Sequence, residues 1–257
     1  MPSLTIDISR SIEQNAALYY DKAKKIKKKI EGAREALEET KNKLNKLEKE
    51  KAKQEEKEVK TPKAKAEWYE KFRWFISSEG FLVIGGRDAT TNEIIVKKHT
   101  EKGDLVFHTD MVGSPFFVIK AENKDIGKDT IKEAADATAS FSRAWKLGLQ
   151  NSSVFHCRPE QLSKEAPTGE YVPRGGFITK GKLEYVENNV NCAVGIYQDK
   201  VMSGPLQPIK KNCEKYVEIA QGREKASAVA KYIQKKVGGS MDDIIRVLPS
   251  GGCRVKR

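Results

Sequence analysis

Asp88, His108 and Asp110 are the residue types a metal-dependent phosphodiesterase would use: two carboxylates and an imidazole. They do not recur at metal-ligand spacing. No nucleophile stands beside a base in a recognisable motif. The three histidines, His99, His108 and His156, are dispersed. Cys157, Cys192, Cys213 and Cys253 are scattered without a CxxC pair. That pattern fits buried thiols in a reducing cytosol, and argues against a disulfide framework or a zinc knuckle. We therefore expect no catalytic residue, no metal site and no cofactor. A nuclease built on Asp88, His108 and Asp110 remains the minor alternative, since His108 reads more simply as a strand residue hydrogen-bonded to a turn.

The chemistry the chain does advertise is binding to a polyanion. Its 257 residues carry a net charge of +12 and a pI near 9.3, which favours RNA, DNA or an anionic surface. No apolar run approaches the roughly 20 residues a membrane span needs, and the start MPSLTIDISRS shows no signal-peptide pattern. A cytoplasmic chain without membrane contact is expected. Arg87, Lys97, Lys98, Lys164, Arg174, Lys180 and Lys182 are the candidate phosphate contacts of the globular part. Asn92 is the candidate for a base edge or a 2′-hydroxyl. Lys24, Lys25, Lys27, Lys28 and Lys29 form the most basic local block and are the candidate contacts of the N-terminal part. Tyr171 and Phe177 fit loop anchors better than base-stacking groups.

The elements that must position these residues divide the chain in two. From residue 10 to about 58 the pattern predicts one long helix, with Gly32 its only glycine and no proline between Pro2 and Pro62. Ala16, Ala23, Ile30, Leu37 and Leu44 interleave at heptad spacing with Ile12, Tyr19, Ile26, Ala33, Thr40 and Leu47. That is a narrow coiled-coil seam. From Glu13 to Lys65 there are 17 basic and 11 acidic residues, a net of +6. The seam needs a partner: a fold-back onto 59–75 across Thr61-Pro62, a second copy, or another helix.

From about Trp68 the composition turns globular. Phe81–Ile84 and Ile94–Val96 read as a hairpin with a long polar tip. Gly85-Gly86 marks a corner, a bulge, or a close approach of backbone or phosphate. Leu105–Thr109 and Phe116–Lys120 read as two further strands, giving a four-stranded antiparallel meander. Asp129–Gly148 reads as one helix, with Glu133 at capping-box distance from Thr130. Ser153–Cys157 is a fifth strand, and a long ordered loop over 161–182 leads to a short one at Phe177–Thr179. Strands at Cys192–Tyr197 and Tyr216–Ala220 and helices at Arg223–Val237 and Met241–Val247 follow. Gly222–Lys225, at a helix start, suits an ordinary cap better than a phosphate site. The expected fold class is α+β: a helical arm over 1–65, then a mainly antiparallel sheet domain with packed helices over 66–188, and an α+β extension over 189–257 packed on it.

The run WYEKFRWFISSEGFLVIGGRDATTNEIIVK resembles the signature of the RNA-binding domain of the NFACT proteins. GDLVFHTDMVG, Ser140–Trp145 and LSKEAPTGEYVPRGGFITKGK follow in that family's order. IDISRSIEQNAALYYDKAKKIKKKI is similar to the start of its coiled-coil middle region. The resemblance spans roughly residues 5–186, and the remainder looks like the C-terminal extension of archaeal members. Val112 and Leu183-Glu184 depart from the pattern and remove polar or basic groups there. The resemblance implies ribosome-associated quality control. Family members bind a large ribosomal subunit holding peptidyl-tRNA and recruit charged tRNA to extend the stalled chain, and bacterial relatives have been described as fibronectin-binding proteins. The ribosome is the catalytic centre of that process, so this chain is expected to bind and position. Its implied partners are tRNA, ribosomal RNA and ribosomal proteins. The family's N-terminal modules do not appear in this sequence, so general RNA or ribosome affinity without the tailing function is expected. A coiled-coil protein-docking module is the other reading.

Overall fold

In the computed structural model of the chain, residues 5–58, 67–165 and 171–256 are described, the backbone alone over 46–58. Thr61-Pro62, the side chain of Leu47 and the loop tip at 166–170 lie outside them. Two compact units divide at Ala66 and Glu67.

The first unit is dominated by α1 (Ile12–Glu58), a single helix of 47 residues, about 70 Å long at 1.5 Å per residue. Its start is a capping box: Gln14 N donates to Ser11 Oγ at 3.2 Å while Ser11 N donates to Gln14 Oε1 at 3.1 Å. Asn15 then ties down the preceding segment through bonds to Asp7 and Ser11. Ile12, Ile26, Ile30, Leu37 and Leu44 of the seam are exposed.

The second unit opens with a 3-10 turn (Trp68–Lys71) and the hairpin β1 (Arg73–Ile76) and β2 (Leu82–Gly85). Next come α2 (Ala89–Lys98), β3 (Leu105–Thr109), β4 (Phe117–Ile119), α3 (Lys128–Ser140), α4 (Arg143–Leu147) and β5 (Val154–Cys157). β6 (Leu162–Ser163) and β7 (Ile178–Thr179) pair with each other, and β8 (Glu184–Val186) joins the main sheet. That sheet runs β1-β2-β4-β3-β5-β8, with every pairing antiparallel.

A second antiparallel sheet, in the order β10-β9-β11-β12, is built from β9 (Cys192–Tyr197), β10 (Lys200–Gly204), β11 (Tyr216–Glu224) and β12 (Cys253–Val255). α5 (Leu206–Asn212), α6 (Ala226–Val237) and α7 (Met241–Val247) complete it. One apolar core runs through both sheets, from Phe75, Phe107 and Phe117 to Cys192, Met202 and Ile219. At the junction a Cβ on Gly204 would meet the Phe75 ring at 2.9 Å, so glycine is what lets β10 lie against β1.

Five expectations about elements are corrected. Ile94–Val96 belongs to α2, not to a strand. Asp88 caps that helix by accepting from Thr91 N at 2.8 Å, and Ile95 and Val96 are its buried face. The strands do not form a simple meander, because the chain reaches β3 before β4 while β4 lies between β2 and β3. The helix after Asp129 is broken at Phe141, and Ser142 Oγ caps the second piece by accepting from Ala144 N at 3.1 Å. The capping box at Thr130 and Glu133 gives way to Glu79 of the β1–β2 turn: Thr130 N donates to its carboxylate at 2.8 Å and Thr130 Oγ1 at 2.6 Å. Glu133 instead accepts from Ser78 N at 2.8 Å. Gly222 lies inside β11 rather than at a helix start, and a Cβ there would meet Arg254 at 2.7 Å.

Candidate nucleic-acid interface

A cleft of about 750 Å³ opens where the β2–α2 corner, the start of α4 and the Pro173–Gly176 turn meet. Arg73, Arg87, Arg143, Lys146 and Arg174 line it, against one carboxylate among the described residues, Asp88. None of the five cations forms an ion pair among the described residues. Asp88 is engaged as the cap of α2, and its pKa is lowered first by the Thr91 N–H bond.

Local hydrogen bonds fix each wall. Thr91 Oγ1 accepts from the N–H of Arg87 at 2.8 Å and of Asp88 at 2.9 Å, which sets the corner. The Arg87 guanidinium then donates from Nη2 to the Phe72 carbonyl at 2.8 Å and the Glu70 carbonyl at 3.4 Å. Its Nε and Nη1 are shielded from solvent and have no partner among the described residues. Arg73, buried on β1, donates from Nη1 to the Val247 and Leu248 carbonyls at 3.3 and 3.2 Å and lies 4.4 Å above the Phe141 ring. Burial lowers both guanidiniums to about 10, with Arg87 adding to the shift of Arg73 and Arg246 to that of Arg87.

Arg143 and Lys146 project from α4 and are exposed, as is Arg174. Gly175 holds the Arg174 turn against α2. It has φ +79°, its N–H donates to Glu93 Oε2 at 3.2 Å, and a Cβ would meet Ala89 Cα at 2.5 Å. One buried and one half-buried guanidinium with no ion pair among the described residues, ringed by three exposed cations, create a demand for an anion that water meets poorly. Guanidiniums suit phosphate oxygens because their fixed fork of donors matches that geometry.

The structure brings only Arg87 and Arg174, of the cations expected from sequence, into this cleft. Asn92 also borders it, but the side chain is buried and engaged: Oδ1 accepts from Phe116 N at 3.1 Å and Nδ2 donates to the Ser114 carbonyl at 3.3 Å. Lys164 is a tie between elements, bonding Glu93 Oε2 at 3.3 Å and the Pro173 carbonyl at 3.2 Å with its ammonium 4.6 Å from the Phe177 ring. Lys97 pairs with Glu93 at 2.7 Å and Lys180 with Glu165 at 3.4 Å. Lys98 and Lys182 are exposed, as are Lys24, Lys25, Lys27, Lys28 and Lys29 on α1. Gly85 and Gly86 serve close approach of side chains, since a Cβ would overlap the Phe117 ring at one and Asn92 at the other.

Sequence reasoning missed Arg73, Arg143 and Lys146. Arg73 sits in an aromatic run that reads as core, and the α4 pair becomes visible only once the helix breaks at Ser142.

The three groups weighed for metal chemistry have separate duties. Asp88 is a cap. His108 stacks on Phe116 with centroids 4.2 Å apart, and burial lowers its pKa. Asp110 accepts from Ser153 Oγ at 2.7 Å and Tyr185 Oη at 3.4 Å. Among the described residues no group of three His, Cys, Asp or Glu side chains could hold a metal ion.

Residues 71–181 match the family model described as the NFACT protein RNA binding domain, NFACT-R. The chain carries an NFACT-R domain. All five cleft cations fall within the matched residues of that NFACT-R domain. The chain is 40% identical over 201 residues to the archaeal Rqc2 homolog aRqcH of Methanocaldococcus jannaschii, covering 75% of this chain and 30% of that protein. It is 39% identical over 184 residues to the human ribosome quality control complex subunit NEMF, covering 67% of this chain and 16% of NEMF. It thus spans less than a third of either relative. A solved structure, the C-terminal part of the fibronectin/fibrinogen-binding protein of Streptococcus suis, aligns at 21% identity and a TM-score of 0.39 over 50% of this chain and 48% of that one. Among the described residues no helix is long and apolar enough to cross a membrane.

Proposed function

We propose that this chain binds structured RNA in ribosome-associated quality control, with tRNA or the obstructed large ribosomal subunit as its cytoplasmic partner. It binds and positions its partner and makes or breaks no bond itself. The observation that carries this reading is the cleft with five cations and one carboxylate among the described residues, within the span that matches an RNA-binding domain. The names of the relatives, which are ribosome quality control factors, supply the process. Arg87, whose Nε and Nη1 have no partner among the described residues, forms the floor that receives a phosphate, and buried Arg73 adds positive charge beside it. Arg143, Lys146 and Arg174 are the rim, and Lys98, Lys180 and Lys182 extend the positive field outside it. The exposed lysines Lys24, Lys25, Lys27, Lys28 and Lys29 on α1 offer further sequence-blind phosphate contact.

The test is a titration with tRNA and with purified large subunits over a range of salt concentrations, comparing the chain with Arg143→Glu/Arg174→Glu. Both arginines are exposed, so the variant should fold normally. Loss of two phosphate contacts should weaken binding and reduce the salt slope by roughly two. Unchanged affinity and slope would remove the cleft from the RNA interface.

A second reading rests on the seam of α1. Ile26, Ile30, Leu37 and Leu44 are each at least half exposed, the pattern of a helix that pairs with another helix. Protein docking through this arm is compatible with RNA binding by the other unit. Sedimentation of the chain beside Leu37→Glu/Leu44→Glu tests self-pairing, and a monomer at every concentration rules it out.

A further inference from the structure

Of the three tryptophans, Trp74 and Trp145 are buried at 4% and 2% exposure, whereas Trp68 leaves 44% of its surface in solvent. Trp68 is thus the tryptophan whose ring is presented to solvent. Trp68 is also held in a fixed orientation. The His99 ring lies parallel to it, 4.6 Å between centroids and 11° between planes, and Tyr69 and Phe72 meet it edge to face at 5.8 and 6.4 Å. His99 closes α2, with its N–H donating to the Ile95 carbonyl at 2.9 Å, and its carbonyl accepts from Lys120 Nζ at 3.2 Å. The stack therefore stands on a helix end, not on a loose loop.

The surroundings are positive. Burial first, and then Lys71, Lys120 and Lys98, lower the pKa of His99 below its ordinary value and so favour the neutral ring beneath Trp68. Lys120 is engaged with Asp104 and Glu101. Lys71 and Lys98 are exposed and make no ion pair among the described residues. Of the nearby carboxylates, Glu70 is held by Lys200 at 2.7 Å, with Glu67 at 3.9 Å from the same ammonium. The turn that carries Trp68 is also the one whose Glu70 and Phe72 carbonyls hold Arg87. The open indole and the cationic cleft thus share a structural support.

We propose that Trp68 is a stacking platform for an unpaired nucleobase, extending the His99–Trp68 stack by one ring, with Lys71 and Lys98 meeting the phosphates on either side. An aromatic face flanked by free cations is how proteins hold single-stranded nucleic acid without reading its sequence. Lys71, whose ammonium lies 4.9 Å from the Phe72 ring, and Lys98 pair with no carboxylate among the described residues, which favours a nucleic acid over a protein partner. The proposal rests on the RNA-binding reading and adds to it a preference for single-stranded segments, which the phosphate cleft alone does not supply.

The experiment follows tryptophan fluorescence of the whole chain during titration with a short oligouridylate, with anisotropy of a labelled RNA duplex as the parallel measurement. Trp74 and Trp145 are shielded, so a saturable quench reports Trp68. Trp68→Ala should weaken oligouridylate binding about tenfold, and Trp68→Tyr should restore most of it. Neither should move duplex affinity. Lys71→Ser/Lys98→Ser should weaken oligouridylate binding with the indole intact, so the proposal stays testable if Trp68→Ala does not fold. Oligouridylate binding that leaves the fluorescence unchanged would overturn the platform while the RNA-binding reading stands. Equal losses for oligouridylate and duplex in Trp68→Ala would also overturn it, by assigning Trp68 a purely structural role. Failure of both RNAs to bind would reject the RNA-binding reading, and the platform with it.

Discussion

Gly86 leaves open the space that the Asn92 side-chain oxygen occupies; a Cβ at Gly86 would overlap it. Through that space Asn92 reaches the Phe116 N–H and the Ser114 carbonyl, so one buried amide joins α2 to the segment leading into β4. Gly86→Ala should displace Asn92 and leave two buried backbone groups unpaired. We expect a loss of about 2–3 kcal/mol, read as a lower urea midpoint with an unchanged slope. A midpoint within error of the parent would show that the corner can relax.

The cleft cations should separate into structural and ligand-facing groups. Arg73 is buried, bonded to two carbonyls and packed on Phe141. Arg73→Ala should cost about 2–3 kcal/mol. Arg143 is exposed and has no ion pair among the described residues, so Arg143→Ala should stay within about 0.5 kcal/mol. Thermal unfolding of the two variants side by side checks the contrast, and equal Tm losses would contradict it.

Glu79 gives a pH-dependent contribution at the start of α3. Its bonds from Thr130, the side-chain bond first, lower its pKa below the ordinary 4.5. A depressed carboxylate stabilises the fold above its unfolded pKa, and that contribution disappears as pH falls through the folded value. The group is solvent-exposed, so the effect is bounded by an ordinary helix cap, about 1 kcal/mol. Glu79→Gln should lose this contribution at neutral pH and be less sensitive to acid than the parent between about pH 5 and 3. Parallel acid profiles for parent and variant would count against the assignment.

The histidines act at higher pH with the same sign. His99, His108 and His156 all have pKa values below the ordinary 6.5, with burial the main cause. A histidine kept neutral by the fold binds fewer protons folded than unfolded. Stability is therefore fully present above 6.5 and declines as pH falls below it. His108→Phe keeps the ring beside Phe116 and removes the titrating group, so its urea midpoint should fall less between about pH 7 and 5 than that of the parent. An equal decline in both would exclude His108 as a contributor.

The sequence alone determined those features that rest on local rules. A stretch without proline and with one glycine, begun by a Ser-x-x-Gln box, could hardly avoid being α1. Phe81–Ile84, Leu105–Thr109 and Phe116–Lys120 were apolar enough to be read as buried strands, and the long ordered motifs were enough to suggest the family. Tertiary structure decided what local rules leave degenerate. Ile94-Ile95-Val96 is too short an apolar run to choose between strand and helix, and the Asp88 cap together with burial of Ile95 and Val96 settled it. β10 was missed because Gln198 and Asp199, not Asn-Gly, take the positive φ values of 48° and 63° in its turn. The cationic cleft was half legible. Arg87 and Arg174 stood in loops, where exposed cations are expected, but Arg73 lay hidden among aromatics and Arg143 and Lys146 in a helix. Those five charges are neighbours because the sheet order carries β1, α4 and the Pro173–Gly176 turn to one place. That convergence is a property of long-range packing, which no local spacing encodes.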